Sequence, residues 1–301
     1  MTGATGGRQG STGLRVARLL LERKVPVRAM VRRLDERADA IRGFGAEVVQ
    51  GDLLDYPTVR RAMEGTRRAF FTFPVEDGLL DATAIFAAAA RDAGVELIAN
   101  VSQFRPTPDA PTPRLRQHWF SEQVFDWADV GAVHLRAPPF YENLRALAAE
   151  TVAGRGIMAL PWGPGPAVIP LVGAVDVARV AAGVLIDPAK PPRGHAIYLL
   201  AELLTVDEIV ATLIRALGRP VRYVEITDEQ WRQAVAGRIQ GHALEHLAHL
   251  WQFFRSPGVK KGEAPYRLTD TIERIGGAPP QSLEAFVRED AASWQAPPPA
   301  P

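Results

Sequence analysis

The chain opens on Thr2-Gly3-Ala4-Thr5-Gly6-Gly7-Arg8-Gln9-Gly10-Ser11-Thr12-Gly13, and a helical pattern starts immediately behind it. No other feature of the sequence constrains the fold as tightly. Glycines allow a tight turn and a close approach of ligand to backbone, and they leave amide N–H groups free at the positive end of a helix. A dinucleotide pyrophosphate needs all three. The alternative, a flexible glycine-rich leader, does not account for the helix and strand that follow at the distance of a βαβ unit.

Behind the glycines, short β-like runs alternate with amphipathic helices. Residues 14–23 read as a helix with Val16, Leu19 and Leu20 inward, 25–31 as a strand, 36–44 as a helix and 46–50 as a strand. The rhythm continues with a helix over 56–63, a strand over 69–73, an alanine-rich helix over 79–93 and a strand over 97–101. A proline-rich loop over 106–113, a helix over 115–127 and a strand over 133–135 complete it. This is the pattern of a doubly wound parallel sheet, an α/β Rossmann fold. Beyond Pro138-Pro139 the rhythm loosens, and residues 161–170, rich in Gly and Pro, read as irregular. Further elements are a helix over 175–185, a strand over 195–200, a helix over 206–217, a strand over 221–225, mostly helix over 229–254 and a last helix over 282–293. The expected organisation is a dinucleotide-binding domain over 1–138, with 171–190 packing back onto it. Residues 139–170 and 191–294 form a smaller α/β lobe, and a proline-alanine tail over 295–301 has nothing to bury.

The glycine turn of such a fold follows a buried strand, yet only Met1 and Thr2 precede Gly3. A sheet without its central first strand loses backbone pairing and apolar burial. The expectation is a start several codons upstream, with Met1 standing where a strand valine belongs.

Composition excludes several classes. The chain has 301 residues with 35 basic and 34 acidic, a formal net charge of +1, so no field of one sign gathers nucleic acid or acidic lipid. It has no cysteine, which removes disulfides, thiolate metal sites and thiol nucleophiles. No apolar run is long enough to span a bilayer, and the N-terminus lacks the basic and apolar regions of a signal peptide. The default is a soluble, cytoplasmic protein.

The chain resembles the NmrA-like group of atypical short-chain dehydrogenase/reductases over most of its length. The similar segments are Thr2-Gly3-Ala4-Thr5-Gly6, Gly45-Ala46-Glu47-Val48-Val49-Gln50-Gly51-Asp52-Leu53, His118-Trp119-Phe120-Ser121-Glu122-Gln123 and Leu135-Arg136-Ala137-Pro138-Pro139-Phe140-Tyr141-Glu142-Asn143-Leu144. The glycine loop offers Gly3, Thr5, Gly6 and Gly13 to the phosphates, with Arg8 able to reach a 2′-phosphate by its charge, and the resemblance implies that Asp52 and Leu53 lie beside the adenine. It further implies that Thr72, Phe73 and Pro74 line the cofactor and that Val101-Ser102-Gln103 faces the nicotinamide. Gln103, Phe140, Tyr141 and Asn143 are the expected substrate pocket, in a cleft between domain and lobe.

Two departures matter. The glycine loop has extra residues, so that Gly13, not Gly10, leads into the helix, and which of residues 8–12 touches phosphate stays open. The Tyr-x-x-x-Lys pair is absent. Counted back from Arg136, the tyrosine position falls on Arg114 and the lysine position on His118. Some quinone-reducing members of the group are similar in having histidine there. His118 can hold a ribose hydroxyl or transfer a proton near neutral pH, which makes it the catalytic candidate. An ordinary helix histidine is the other reading.

Enzymes that choose NAD commonly end the second strand with an acid for the ribose 2′-hydroxyl. Here Val31-Arg32-Arg33 stands at that point, with no carboxylate until Asp35. Guanidinium groups suit a 2′-phosphate, so NADP(H) is the expected cofactor, with NAD(H) the alternative. His242, His246 and His249 with Glu245 share a helix face, but leucines and Trp251 at the same spacing make that helix amphipathic, and no metal is expected. Ser102 lacks the Gly-x-Ser-x-Gly elbow of a hydrolase. The functional expectation is an NAD(P)H-dependent oxidoreductase passing hydride from NADPH to a small conjugated or aromatic acceptor such as a quinone. The alternative is a non-catalytic NADP(H)-sensing regulator, the one reading that requires a protein partner; nucleic acid and membrane are not expected partners.

Overall fold

In the computed structural model, which describes residues 1–6, 11–187, 195–239, 241–255 and 266–295, helices and strands alternate from the glycine turn onward. In chain order they are α1 (Thr12–Glu22), β1 (Arg28–Val31), α2 (Glu36–Gly43), β2 (Glu47–Gln50), α3 (Tyr56–Ala62), β3 (Arg68–Phe71), α4 (Leu79–Asp92), β4 (Leu97–Gln103), α5 (Pro113–Trp127) and β5 (Ala132–Ala137). There follow α6 (Tyr141–Arg155), β6 (Ile157–Leu160), β7 (Val168–Leu171), α7 (Ala174–Ile186), β8 (His195–Tyr198), β9 (Glu202–Thr205), α8 (Val206–Leu217) and β10 (Arg222–Glu225). The last elements among the described residues are α9 (Asp228–Ala234), α10 (Gly241–Arg255), α11 (Thr271–Gly276), α12 (Leu283–Glu289) and a 3-10 turn, Ala291–Trp294. The segment divides into two units. One holds Met1–Ala137, Ala174–Leu199 and Asp270–Pro279; the other holds Pro138–Gly173, Leu200–Thr269 and Pro280–Pro301.

In the first unit β3, β4, β5 and β8 form one parallel sheet in that order, and β1 pairs in parallel with β2. Met1 and Thr2 join the two pieces. The Met1 amine donates to the Arg28 carbonyl at 2.7 Å and the Met1 carbonyl accepts from the Met30 amide at 3.0 Å, while the Thr2 amide donates to the Phe70 carbonyl at 3.1 Å. Two residues therefore hold the strand position between β1 and β3. Beside them lies a small hollow of about 20 Å³, lined by Met1, Arg28, Met30, Val59, Met63 and Phe86, among others. Helices cover both faces. α4 packs between α3 and α5, and α7 lies against α1, α11 and strands β3 to β5. Phe71, Phe86 and Phe125 meet edge-on or tilted at centroid distances of 4.8–6.3 Å in the core under α4 and α5. α7 and α11 touch closely enough that a Cβ on Gly183 would stand 2.2 Å from the Ile275 carbonyl.

The second unit has β6 parallel to β10 and β7 antiparallel to β9. Its core gathers Tyr141, Leu144 and Val152 of α6, Ile209 and Leu213 of α8, and Trp162, Trp231, Trp251 and Trp294. α8 and α9 both start in full capping boxes, Thr205 with Glu208 and Thr227 with Gln230, which satisfy backbone donors at each helix start.

These units correct the expected boundaries. Residues 195–198 and 270–279, expected in the smaller lobe, belong to the first unit, where β8 extends the parallel sheet beyond β5 and α11 packs on α7, and residues 171–173, expected on the first domain, belong to the second. Residues 141–155 form a helix not foreseen, and 168–171, read as irregular, form β7. Of the 295–301 tail, 296–301 lie outside the described residues.

Candidate functional site

The glycine turn is built by contact with two neighbours. The Gly6 amide donates to the Gly3 carbonyl at 3.3 Å, closing a turn. Gly3 has φ +68°, and a Cβ there would stand 2.6 Å from Thr72 Cγ2. A side chain at Gly13 would meet the Gly3 carbonyl oxygen at 2.5 Å and the Thr2 carbonyl at 2.7 Å. Backbone atoms cannot step aside as a flexible side chain can, so the first turn of α1 sits against Thr2 and Gly3 only because residue 13 is glycine. The amides of that turn have no intrahelical acceptor, and the helix dipole favours an anion in front of them. Ser11 precedes the helix in the left-handed region (φ 50°) and offers no side-chain cap. Arg8 lies outside the described residues.

Thr2 and Thr72 lock this turn to the end of β3. The Thr2 hydroxyl accepts from the Thr72 amide at 2.9 Å and donates to the Thr72 carbonyl at 3.0 Å. Thr72 and Phe73 are half-buried and Pro74 is exposed. At the end of β1, Arg32 and Arg33 are exposed, and neither guanidinium has an ion-pair partner among the described residues. Asp35 is committed elsewhere. It caps α2 by accepting from the Arg37 and Ala38 amides at 3.1 and 3.3 Å and pairs with the Arg37 guanidinium at 2.6 Å, which holds its carboxyl below the usual range. At the end of β2, Asp52 Oδ1 accepts from the Leu54 amide at 3.0 Å, and Leu53 packs against the core beneath.

Sequence reasoning missed a polar layer between the sheet and α5. Arg114, His118, Glu122 and Asp126 recur every fourth residue and so share one helix face. Arg114 donates to the carbonyls of Pro74 (2.6 Å) and Glu76 (3.0 Å). Glu122 receives Arg136 of β5 in a two-pronged ion pair at 2.6 and 3.1 Å, and Arg136 also donates to the Tyr198 hydroxyl of β8 at 2.8 Å. Asp126 meets His134 Nε2 at 3.1 Å, whose Nδ1 lies 3.0 Å from Asn100 Nδ2. His118, 7% exposed, stands between the Arg114 and Glu122 anchors. Ser102 pairs in register with Arg136, and its buried hydroxyl has no partner among the described residues. The four-residue period in 114–126 was the available signal.

Three expected pocket residues belong to the second unit. Tyr141 is fully buried in its core, with its hydroxyl 2.6 Å from Glu202 Oε2 and 3.1 Å from the Gln281 carbonyl and its ring 5.5 Å from Phe286. Its side chain is thus a core element rather than an open pocket wall. Phe140 and Asn143 are half-buried at the start of α6. Gln103, half-buried, ends β4 in the first unit. On α10, Glu245 pairs with Arg232 at 2.8 Å and the His249 Nδ1 donates to the Glu245 carbonyl at 2.7 Å. Among the described residues no group of His, Asp and Glu could hold a metal ion, and no helix is long and apolar enough to cross a membrane.

Comparison with known proteins follows this architecture along the whole chain. An NAD(P)H azoreductase of Xenophilus azovorans is 28% identical over 292 residues, covering 96% of this chain and 98% of its own. An NADPH-dependent quinone oxidoreductase of Escherichia coli, solved with NADPH, superposes with a TM-score of 0.77 at 22% identity, covering 96% of this chain and 98% of that one. NmrA, a negative transcriptional regulator solved with NADP, superposes with a TM-score of 0.79 at 21% identity over 96% and 93% of the two chains. The sheet, the glycine turn and a family match spanning residues 1–286 together place this chain in the NmrA-like family.

Proposed function

We propose that this protein is an NADPH-dependent reductase that delivers hydride to a small conjugated or aromatic acceptor such as a quinone. The observation that carries the reading is the end of β1. Arg32 and Arg33 are exposed without a carboxylate partner among the described residues, and the following acid, Asp35, is spent on capping α2. Two guanidinium groups match a 2′-phosphate in charge and in forked geometry. The turn fits the rest of the dinucleotide, because the space a Cβ would fill at Gly3 and Gly13 is what lets the backbone close on α1. The azoreductase and quinone reductase among its relatives support the acceptor class.

When bound, the nicotinamide supplies the hydride. The chain's own residues hold and orient. Gly3, Thr5, Gly6 and Gly13 with the first α1 amides take the pyrophosphate, Arg32 and Arg33 the 2′-phosphate, Asp52 and Leu53 the adenine. Thr72, Phe73 and Pro74 would line the cofactor, Ser102 would face the nicotinamide, and His118 would hold its ribose or move a proton. Arg114 cannot act as a tyrosine acid does, since its guanidinium is buried against backbone carbonyls. The acceptor's proton comes from solvent or from a ring nitrogen of His118.

Purified protein should oxidise NADPH in the presence of quinones or azo compounds. In His118→Ala turnover should fall about a hundredfold or more if His118 transfers the proton. His118→Gln, which hydrogen-bonds but does not titrate, should keep activity if the role is ribose binding alone. A second reading, a regulator whose partner binding follows NADP(H) occupancy, is favoured by the likeness to NmrA and the missing Tyr-x-x-x-Lys pair. Tight NADPH binding with no turnover on any acceptor would select it.

A further inference from the structure

Arg114 stands in the first turn of α5, where the helix dipole disfavours a cation, and it is 1% exposed. A buried guanidinium in that place requires compensation, and the structure shows it at both terminal nitrogens, while Nε has no partner among the described residues. Nη1 donates to the Glu76 carbonyl at 3.0 Å, and Nη2 donates to the Pro74 carbonyl at 2.6 Å with the Phe73 carbonyl at 3.5 Å. The guanidinium carbon lies 6.0 Å from the Phe73 ring centroid. Burial lowers the Arg114 pKa to about 10, opposed by the Asp77 and Glu76 charges, so the group is a cation at neutral pH.

All these acceptors belong to one segment. It starts at Thr72, which Thr2 ties to the glycine turn, and ends at Gly78 (φ 97°), which precedes α4. We infer that Arg114 is a positioning residue that clamps the backbone of residues 73–76 and thereby fixes the wall that Phe73 and Pro74 present to the dinucleotide. The link from wall to dinucleotide rests on the NADP(H) reading above; the clamp itself does not. At the helix position where the resemblance would put a tyrosine, this chain carries a backbone anchor. A fan of N–H donors on a rigid plane suits several carbonyls at once, which a lysine ammonium on a flexible stem does not reproduce.

The test compares wild type, Arg114→Lys and Arg114→Met in the full chain. Amide hydrogen exchange over residues 73–79, measured without cofactor, should quicken about tenfold in Arg114→Met while β4 is unchanged. NADPH dissociation constants, taken well below the melting midpoint, should rise about tenfold in the same variant, with Arg114→Lys between the two. Unchanged exchange over 73–79 together with an affinity within about twofold of wild type, at a lowered melting point, overturns the proposal and makes Arg114 a packing residue. Wild type that binds no NADPH overturns the functional reading instead, and the exchange comparison still decides the clamp. If Arg114→Met does not fold, faster exchange over 73–79 in Arg114→Lys supports the clamp and unchanged exchange overturns it.

Discussion

The two units spend their buried residues differently. In the first, the crowded places are backbone against backbone, as at Gly13 on Gly3 and Gly183 on Ile275, and buried charges sit on one face of α5 and at Asp176 of α7. In the second, tryptophans fill the core: Trp162, Trp231 and Trp251 meet at centroid distances of 5.6 and 5.8 Å with Phe254 beside them, and Trp294 is as deeply buried. One unit is specified by where a side chain must be absent or charged, the other by how much volume it must fill. Substitutions should therefore damage ligand binding in the first and stability in the second.

The largest expected effect is in the tryptophan core. Trp251, 2% exposed, contacts both other indoles of the cluster, so Trp251→Ala leaves a void that its neighbours cannot close. It should destabilise the protein by about 3–5 kcal/mol in urea unfolding. Trp251→Phe, which keeps most of the ring, should recover most of that loss. The protein that remains folded should bind NADPH as wild type does; if affinity collapses in step with stability, the contrast between the units is wrong.

The arginine pair is next, with the opposite signature. Arg32→Ala/Arg33→Ala should leave the melting point near wild type, because both side chains are exposed without partners among the described residues. Calorimetric titration should show NADPH binding weakened by about 3 kcal/mol, roughly two decades, with NADH nearly unaffected. Equal losses for both cofactors would mean that the pair does not meet the 2′-phosphate.

Gly13→Ala should act on both quantities. The added methyl collides with the Gly3 and Thr2 carbonyls, so either α1 shifts or the turn does. Stability should fall by about 1–3 kcal/mol, and NADPH and NADH binding should fall together, since the pyrophosphate is common to both.

The same contrast explains what the sequence could disclose. The first unit was legible because parallel strands buried on both faces and amphipathic helices have distinct periods, and because glycines ahead of a helix have few other uses. Even the choice of Gly13 over Gly10 could be read from the position of the helix. What order along the chain cannot give is the far edge of a sheet, so nothing in the sequence places β8, or α11, with the first unit. α6 went unseen although Tyr141, Leu144, Ala148, Ala149 and Val152 recur at helical spacing, because small alanines supply much of its buried face and Pro138-Pro139 suggested a loop. The role of Arg114 was hidden for another reason. Its partners are backbone carbonyls forty residues away, which leave no mark in side-chain chemistry.

The smallest effect concerns the rim of the second unit and separates charge from volume there. Asp228, at the start of α9, takes both guanidinium nitrogens of Arg255 at 2.7 and 2.8 Å, with side chains 31% and 28% exposed. The Arg255 hydrogen bond lowers the Asp228 pKa below its ordinary 3.8, against a smaller opposing effect of burial. In the window between the folded and unfolded pKa the unfolded chain binds more protons, so stability rises with pH there. The contribution is fully present above about pH 5 and disappears as pH falls through the lowered value. Partly exposed pairs of this kind are worth about 1 kcal/mol. Urea unfolding of wild type and Asp228→Asn at about pH 6 should show that difference, and the two should converge as acidification passes the lowered pKa. A gap that persists in acid would mean that Asp228 matters through local packing in the first turn of α9 rather than through its charge. A gap comparable to that of Trp251→Ala would mean that ion pairs, not aromatic volume, hold this unit together.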